Sequence, residues 1–112
     1  MEPGKIIKGS LSTVILQLLD NNGPMYGYEM TKAVRDGSDD KVKITEAALY
    51  PALHRLEEEG LLETESRIVD GRLRKYYQLT RKGKTEGKKQ MASLQEMITS
   101  LQQILNHRLQ NG

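Results

Sequence analysis

The residues best suited to binding chemistry lie in the stretch TEAALYPALHRLEEEG, which spans positions 45–60. Ala47, Tyr50 and His54 recur at intervals of three and four residues, so a helix would place them on one face. A phenol and an imidazole offer hydrogen-bond donors and acceptors, and alanine permits close approach or contact with a thymine methyl group. Arg55 flanks this face, and Thr45 precedes it with a hydroxyl that can contact a phosphate. We expect these five residues to contact a polyanionic partner.

A second group of candidate residues is basic and follows the first. Arg72, Arg74 and Lys75 crowd a predicted hairpin, where guanidinium groups can fork onto phosphate oxygens or a guanine edge. Alternation along its strand places Lys75 on the face that points toward the core, so it is the weakest of the three candidates. The formal net charge is only +2, but nine bases lie at positions 67, 72, 74, 75, 81, 82, 84, 88 and 89. Five acids and no base lie at positions 57–65, so the chain is electrically polarised.

The helix that carries the first group is well defined by its sequence. Leu49, Leu53 and Leu56 recur at i, i+4 and i+7, which is the apolar stripe of an amphipathic helix packed on a core. Thr45 is a suitable N-cap, and Gly60 is suited to the position after the C-cap. We therefore predict a helix bounded by these two residues.

Pro51 is the irregular position in this helix. It removes the hydrogen bond to the carbonyl of Ala47, so we expect a bend near the start of the helix. Tyr50 can pack across that bend or donate to a phosphate, and the pattern does not distinguish the two. A solvated His54 is almost as consistent with the pattern as one that reads bases.

A hairpin is predicted directly after the helix. The strands Leu62–Ile68 and Leu73–Leu79 flank Asp70–Gly71, a dipeptide that favours a type I′ turn. Alternation along the second strand places Leu73, Tyr77 and Leu79 on one face and Arg72, Arg74, Tyr76 and Gln78 on the other. The order of helix, tight return and basic hairpin indicates a winged helix-turn-helix.

Three blocks of sequence carry a family resemblance: YGYEM at Tyr26–Met30, LYPALHRLEEEGLL at Leu49–Leu62, and GRLRKYYQLTRKGK at Gly71–Lys84. In their order and spacing they resemble the PadR family of bacterial transcriptional regulators. The resemblance implies an α+β, mostly α, winged helix-turn-helix with a C-terminal dimerisation helix, as in the family's short subgroup. It also implies a homodimer that binds a palindromic operator in double-stranded DNA. Repression of transcription, with release by a small effector, is the corresponding expectation.

The chain divides into three predicted parts. Residues 1–9 form a loose N-terminal arm, residues 10–80 the DNA-binding domain, and residues 81–112 the C-terminal dimerisation helix. Within the DNA-binding domain we expect helices from Ser10 to Asn22 and from Tyr26 to Asp36, and a very short strand at Val42–Ile44 that pairs with the hairpin.

The last helix has an apolar seam. Thr80 is a suitable N-cap for it, and Gly83 and Gly87 should loosen its first turns. Spacings of three and four residues, typical of the a and d positions of a coiled coil, separate Met91, Leu94, Ile98, Leu101 and Leu105. Packing of this seam on the same chain is the alternative, but we expect it to pack on a second copy of the chain.

A candidate effector site follows from the same seam. Leu11 and Ile15 of the first helix could meet Met91 and Met97 of the last helix across a two-fold axis. Thioether side chains adapt to varied apolar ligands, so a small apolar or phenolic effector would fit there. A fully packed seam without a ligand is equally consistent with the sequence. Family members that bind flat aromatic drugs use a tryptophan between subunits, whereas this chain has no Trp and no Phe.

Several classes of function are disfavoured by what the sequence lacks. It has no cysteine, and its two histidines, His54 and His107, are isolated, so we expect no metal and no cofactor. It has no nucleophile elbow and no phosphate loop, so we expect no enzyme. No apolar run has the length of a membrane span and no secretory signal opens the chain, so we expect a cytoplasmic protein. The alternatives to a specific regulator are a winged-helix module for protein contacts and a non-specific architectural DNA binder.

Overall fold

The computed structural model describes the backbone of residues 3–108 and the side chains of residues 10–108. Within this part of the chain, the elements are α1 (Pro3–Asn22), β1 (Met25–Tyr26), α2 (Gly27–Gly37), α3 (Glu46–Glu58), β2 (Leu62–Val69), β3 (Arg72–Leu79) and α4 (Arg81–Asn106). The architecture is a winged helix-turn-helix of the α+β class, mostly α, which confirms the predicted fold.

The hairpin forms around the predicted turn. Asp70 and Gly71 have φ angles of 52° and 75°, and two consecutive positive φ angles are the hallmark of a type I′ turn. The turn pairs Val69 with Arg72, so each strand is one residue longer than predicted. β2 and β3 are antiparallel, and the sheet order is β1-β3-β2.

The third strand lies elsewhere than predicted. β1 covers only two residues, and it pairs Met25 with Tyr77 and Tyr26 with Tyr76. The prediction of a strand at Val42–Ile44 is wrong, because β1 and β2 occupy the two edges of β3. That segment has no regular structure, although the Val42 amide donates to Ser38 Oγ at 2.9 Å.

The core lies between the helices and one face of the sheet. The predicted stripe of α3 is buried, since Leu49, Leu53 and Leu56 are each at most 2% exposed. None of the polar or charged residues for which the structure describes side chains is buried. The rest of the core is contributed mainly by Leu11, Ile15, Leu16 and Leu19 of α1, Met30 and Val34 of α2, and Met25, Leu62 and Tyr77 of the sheet.

Both predicted caps of α3 are confirmed. Thr45 Oγ1 accepts a hydrogen bond from the Ala48 amide at 3.2 Å. Gly60 has a φ angle of 77°, and its amide donates to the Glu57 carbonyl. The Leu61 amide donates to the Leu56 carbonyl, which completes a Schellman motif.

The first helix begins earlier than predicted. α1 starts at Pro3, so the predicted loose arm at residues 1–9 is wrong from residue 3 onward, and residues 1 and 2 lie outside the described part. Proline suits the first turn of a helix because its φ angle is already helical and its missing amide would have no helical partner there. α2 begins after Tyr26, whose amide donates to Glu29 Oε1 at 3.0 Å.

The glycines of α4 bring this helix close to the core instead of loosening it. Thr80 Oγ1 accepts from the Gly83 amide at 3.0 Å, as predicted for an N-cap. A Cβ at Gly83 would overlap the carbonyl oxygen of Leu61, and one at Gly87 would come within 3.3 Å of the Leu16 Cβ. The helix is continuous over 26 residues, and so about 39 Å long, and the molecule extends over 67 × 29 × 21 Å.

Candidate nucleic-acid interface

The predicted binding face of α3 is open to solvent. Ala47, Tyr50 and His54 are exposed, on the side of the helix opposite the buried leucines. His54 Nε2 donates to Glu58 Oε1 at 2.9 Å, an i,i+4 pair that turns the imidazole toward the C-terminal end of α3. A base that contacted this imidazole would therefore compete with Glu58.

Tyr50 does not point freely outward. Its phenol lies against the backbone of Gly27 at the start of α2, and the residue is 43% exposed. Burial first, and then the charges of Glu46 and Tyr77, raise the pKa of Tyr50 above its ordinary value. The phenol therefore stays protonated at neutral pH and can donate a hydrogen bond.

A groove separates α3 from the hairpin and brings three of the predicted residues together. Tyr50 of α3 lines one wall, and Arg74 and Lys75 of β3 line the other. The groove has a volume of about 430 Å³. Its remaining lining residues are Tyr26, Gly27, Leu73 and Tyr77. One phenol donor and two cations thus face a cleft between the helix and the wing, which suits a phosphate backbone.

The other predicted contacts on α3 lie apart from this groove. Thr45, Ala47 and Arg55 line a separate open groove, together with Leu11 of α1. Arg55 Nε lies 4.0 Å from Glu59 Oε1, and Thr45 is engaged as the N-cap. The structure therefore divides the predicted α3 contacts between two sides of this helix.

The three bases of the hairpin have different surroundings. Arg72 is exposed beside the turn, whereas the guanidinium of Arg74 lies 4.5 Å from the centre of the Tyr26 ring. Lys75 Nζ lies 3.8 Å from Glu57 Oε1 of α3. This orientation follows from the position of Lys75 on the face that points toward the core, and it leaves the two arginines as the stronger candidates.

The acidic stretch at positions 57–65 is paired with donors of the same chain. Each of its five acids lies near a basic or amide side chain, at separations of 2.9–4.0 Å. The pairs are Glu57 with Lys75, Glu58 with His54, Glu59 with Arg55, Glu63 with Gln78, and Glu65 with Arg67. Exposed pairs of this kind contribute little stability, but they reduce the acidic field beside the binding face.

Sequence reasoning missed two relationships in this region, the contact of Gly27 with Tyr50 and the pairing of Arg67 with Arg74. The contact of Gly27 had no signal in the sequence, because it depends on where Tyr50 packs in the folded chain. The position of Arg67 could have been predicted from the turn. A two-residue turn at Asp70–Gly71 fixes the register of the hairpin and so places Arg67 directly opposite Arg74.

The predicted seam of α4 is largely exposed in the single chain. Leu94 is half-buried against the body, whereas Ile98, Leu101 and Leu105 become progressively more exposed along the helix. Met91, Met97 and Ile104 are also exposed. These residues give the far half of α4 an apolar face.

Within a single chain, the structure does not bring the four predicted effector residues together. Ile15 is fully buried and Leu11 nearly so, in the core of this chain, whereas Met91 and Met97 are exposed on α4. The groove between α1 and α4 has a volume of about 390 Å³, and six of its eight lining residues are polar. Its walls are Ser10, Thr13, Glu86, Lys89, Gln90, Ser93, Leu94 and Met97.

Two kinds of feature are absent from the described residues. Across the described residues, no helix is long and apolar enough to cross a membrane. Nor do these residues include a group of three or more His, Cys, Asp or Glu side chains that could hold a metal ion.

Comparison with known proteins agrees with the fold and with the three sequence blocks. A transcriptional regulator of Mycobacterium tuberculosis is 37% identical over 70 residues, which cover 62% of this chain and 65% of that protein. The structure of a transcriptional regulator from Clostridium thermocellum superposes with a TM-score of 0.79 at 30% identity, covering 88% of this chain and 96% of that one. A PadR family transcriptional regulator from Eggerthella lenta gives 0.78 at 28% identity, covering 93% and 88%.

The family itself follows from a match over most of the winged-helix region. The profile of the transcriptional regulator PadR-like family matches residues 15–89. This is a family of transcriptional regulators and not of enzymes, which confirms the prediction that the chain is not an enzyme. The chain belongs to the PadR-like family of transcriptional regulators.

Proposed function

We propose that this chain is a sequence-specific repressor that binds a palindromic operator in double-stranded DNA as a homodimer. The observation that carries this proposal is the groove between α3 and the hairpin, where Tyr50 faces Arg74 and Lys75. If a DNA strand occupied that cleft of the protein, α3 would enter one groove of the duplex and the hairpin would lie beside the DNA backbone. A DNA partner agrees with the cytoplasmic location that we predict.

In this proposal, α3 enters the major groove with the half that begins at Thr45. Its exposed side chains there, Ala47, Tyr50 and His54, are short or carry hydrogen-bonding groups. Glu58 and Glu59 lie at the opposite end of the helix, where repulsion by phosphates is weakest. Base contacts by the helix would supply sequence preference, because phosphate contacts position a protein without reading sequence.

The hairpin supplies phosphate contacts through Arg72 and Arg74. Arg72 is exposed at the turn, and Arg74 lines the groove beside α3. Each phosphate that an arginine neutralises releases condensed counterions, so this part of the affinity must fall as salt concentration rises. Lys75 contributes less, because Glu57 is already beside it.

Dimerisation through α4 accounts for the apolar face of that helix. Ile98, Leu101 and Leu105 are 40%, 49% and 81% exposed in the single chain. If a second copy packed on this face across a two-fold axis, these three residues would be buried in both chains. The two α3 helices would then meet successive major grooves about 34–36 Å apart, which requires a palindromic operator.

We further propose that a small apolar or phenolic effector releases the repressor. The groove between α1 and α4 supports this site, because Met97 lines it with an adaptable thioether and Ser93 offers a hydroxyl partner for a phenol. An effector there acts only by favouring one spacing of the two α3 helices over another. A tenfold loss of operator affinity requires about 1.4 kcal/mol of such preference.

Selection of bound sites from a random duplex library tests the proposed function. The full chain should enrich a palindrome whose half-sites are one helical turn apart, and it should bind that operator at least about 10³-fold more tightly than random duplex. Failure to enrich any sequence, with equal affinity for all duplexes, would leave a non-specific architectural DNA binder.

A further inference from the structure

Two arginines lie directly opposite each other on the outer face of the hairpin. The register pairs Arg67 of β2 with Arg74 of β3. Side chains alternate along a strand, so Arg74 and Tyr76 lie on the face opposite the buried Tyr77. Like charges at directly opposite positions of antiparallel strands repel each other and destabilise the pair.

Aromatic rings hold both guanidinium groups in place. Arg67 Cζ lies 4.4 Å from the centre of the Tyr76 ring, and Arg74 Cζ lies 4.5 Å from the centre of the Tyr26 ring. The two rings contact each other edge to face, with their centres 5.4 Å apart. Contact with a ring face leaves the N–H groups at the edges of each guanidinium free to donate elsewhere.

Carboxylates offset only part of this charge. Glu65 Oε1 lies 3.4 Å from Arg67 Nε, a contact that leaves the two terminal nitrogens of that guanidinium unused. Within the described part of the chain, no carboxylate lies within ion-pair distance of Arg74. Arg74 also lines the groove that contains Tyr50, so this charged face is continuous with the cleft beside α3.

We infer that Arg67 and Arg74 form a clamp for one DNA phosphate, and that Tyr26 and Tyr76 are the positioning residues that orient the two guanidinium groups. A phosphodiester between the guanidinium groups would relieve their repulsion and accept their free N–H donors. This inference rests on the proposed function, since it assigns a further phosphate contact to the same duplex. A backbone phosphate suits this position better than a free phosphate, because the strand that supplies it also passes Tyr50 in the adjoining groove.

The first test compares Arg67→Gln with wild-type protein, using full-length chain and both operator and random duplexes at several salt concentrations. The variant should lose about tenfold in affinity, which is the usual contribution of one hydrogen bond to a charged group. The loss should be the same for both duplexes, because a phosphate contact carries no sequence information. The slope of log K against log salt should become shallower by about 0.9, which corresponds to one phosphate contact. Arg108→Gln, two residues beyond the end of α4, is the matched control and should change neither quantity.

The second test separates positioning from packing by a double-mutant cycle. Tyr76→Leu should lower duplex affinity in the wild-type background but not in the Arg67→Gln background, because the ring acts through that arginine. Tyr76→Phe keeps the ring and should retain affinity. Arg67→Lys, a second variant of the same contact, should weaken binding while keeping the salt slope, because it preserves the charge without the planar fork.

If wild type binds duplex DNA, three results would overturn the clamp. One is an Arg67→Gln variant with unchanged affinity and slope. Another is an equal loss from Tyr76→Leu in both backgrounds. The third is saturation of the Arg67 and Arg74 side-chain NMR signals by sub-millimolar inorganic phosphate, which would assign the site to a free anion. A wild type without operator preference would contradict the specific repressor alone, since the clamp still predicts a loss on random duplex. A wild type that binds no duplex would overturn both.

Discussion

The phenol of Tyr50 in α3 packs directly on the α-carbon of Gly27, the first residue of α2. A Cβ at position 27 would lie 2.8 Å from Tyr50 Cζ and 2.9 Å from Tyr50 Cε1, closer than real Cβ contacts allow. The conformation of a candidate DNA contact therefore depends on the absence of a side chain on the preceding helix. Gly27 is thus a positioning residue for the binding face, although it offers no functional group to DNA.

Replacing Gly27 with alanine should move Tyr50 and leave the fold intact. The stability should change by less than about 1 kcal/mol, because alanine is the better helix former and the displaced atoms end an exposed side chain. Operator affinity should fall to the level of Tyr50→Ala. In a Tyr50→Ala background, Gly27→Ala should have no further effect, and an equal loss there would contradict this relationship. Thermal unfolding and operator isotherms of the four proteins provide the measurements.

The raised pKa of Tyr50 predicts a specific loss of stability in alkali. Burial disfavours the phenolate in the folded chain, so the unfolded chain ionises first as pH rises. The contribution is fully present below the ordinary tyrosine pKa of about 10 and is lost as pH rises through the higher folded pKa. Urea unfolding between about pH 9 and pH 11 should show a steeper decline for wild type than for Tyr50→Phe. Parallel declines would show that partial burial of the Tyr50 phenol does not contribute to the pH dependence of stability.

Two leucines that look alike in sequence should differ sharply in their contribution to stability. Leu53 is fully buried in the core, whereas Leu73 on the wing is 73% exposed. Leu53→Ala should lower the free energy of unfolding by about 2–5 kcal/mol, through lost burial and a residual cavity. Leu73→Ala should change it by less than about 0.5 kcal/mol. Denaturant unfolding checks both, and similar losses would contradict the observed packing.

The parts of the fold that were predictable depend on local sequence. The caps of α3 at Thr45 and Gly60 act on amides and carbonyls a few residues away, so composition and spacing identify them. The turn at Asp70–Gly71 is equally local, because both residues must have positive φ angles. These signals were sufficient to locate the helix and the hairpin.

The parts that were missed depend on distant partners. β1 is a strand only because Met25 and Tyr26 pair with Tyr77 and Tyr76, some fifty residues later in the chain. The alternation at Val42–Ile44 resembled a strand but had no free edge of β3 with which to pair. Gly83 looked like a helix breaker, whereas its lack of a side chain admits the carbonyl of Leu61. The same limit hid the contact between Tyr50 and Gly27.

Charge placed in the α4 seam should separate the proposed dimer. Wild type should sediment as a dimer at micromolar concentration, and the double variant Ile98→Asp, Leu101→Glu should sediment as a monomer, because two carboxylates per chain would be desolvated in the interface. Gln103→Glu adds charge to another face of the same helix and is the matched control. A monomeric wild type, or an unchanged mass of the variant, would contradict dimerisation through this helix.

The most direct test of the central claim, that α3 reads bases while the hairpin binds phosphates, is the ratio of operator affinity to random-duplex affinity at one fixed salt concentration. Arg72→Gln should weaken both duplexes equally and keep the wild-type ratio, because phosphate contacts do not read sequence. A variant at His54 or Tyr50 that removes a base contact should lower the ratio by about 5- to 100-fold. A ratio unchanged by both α3 variants and lowered by Arg72→Gln would contradict the account.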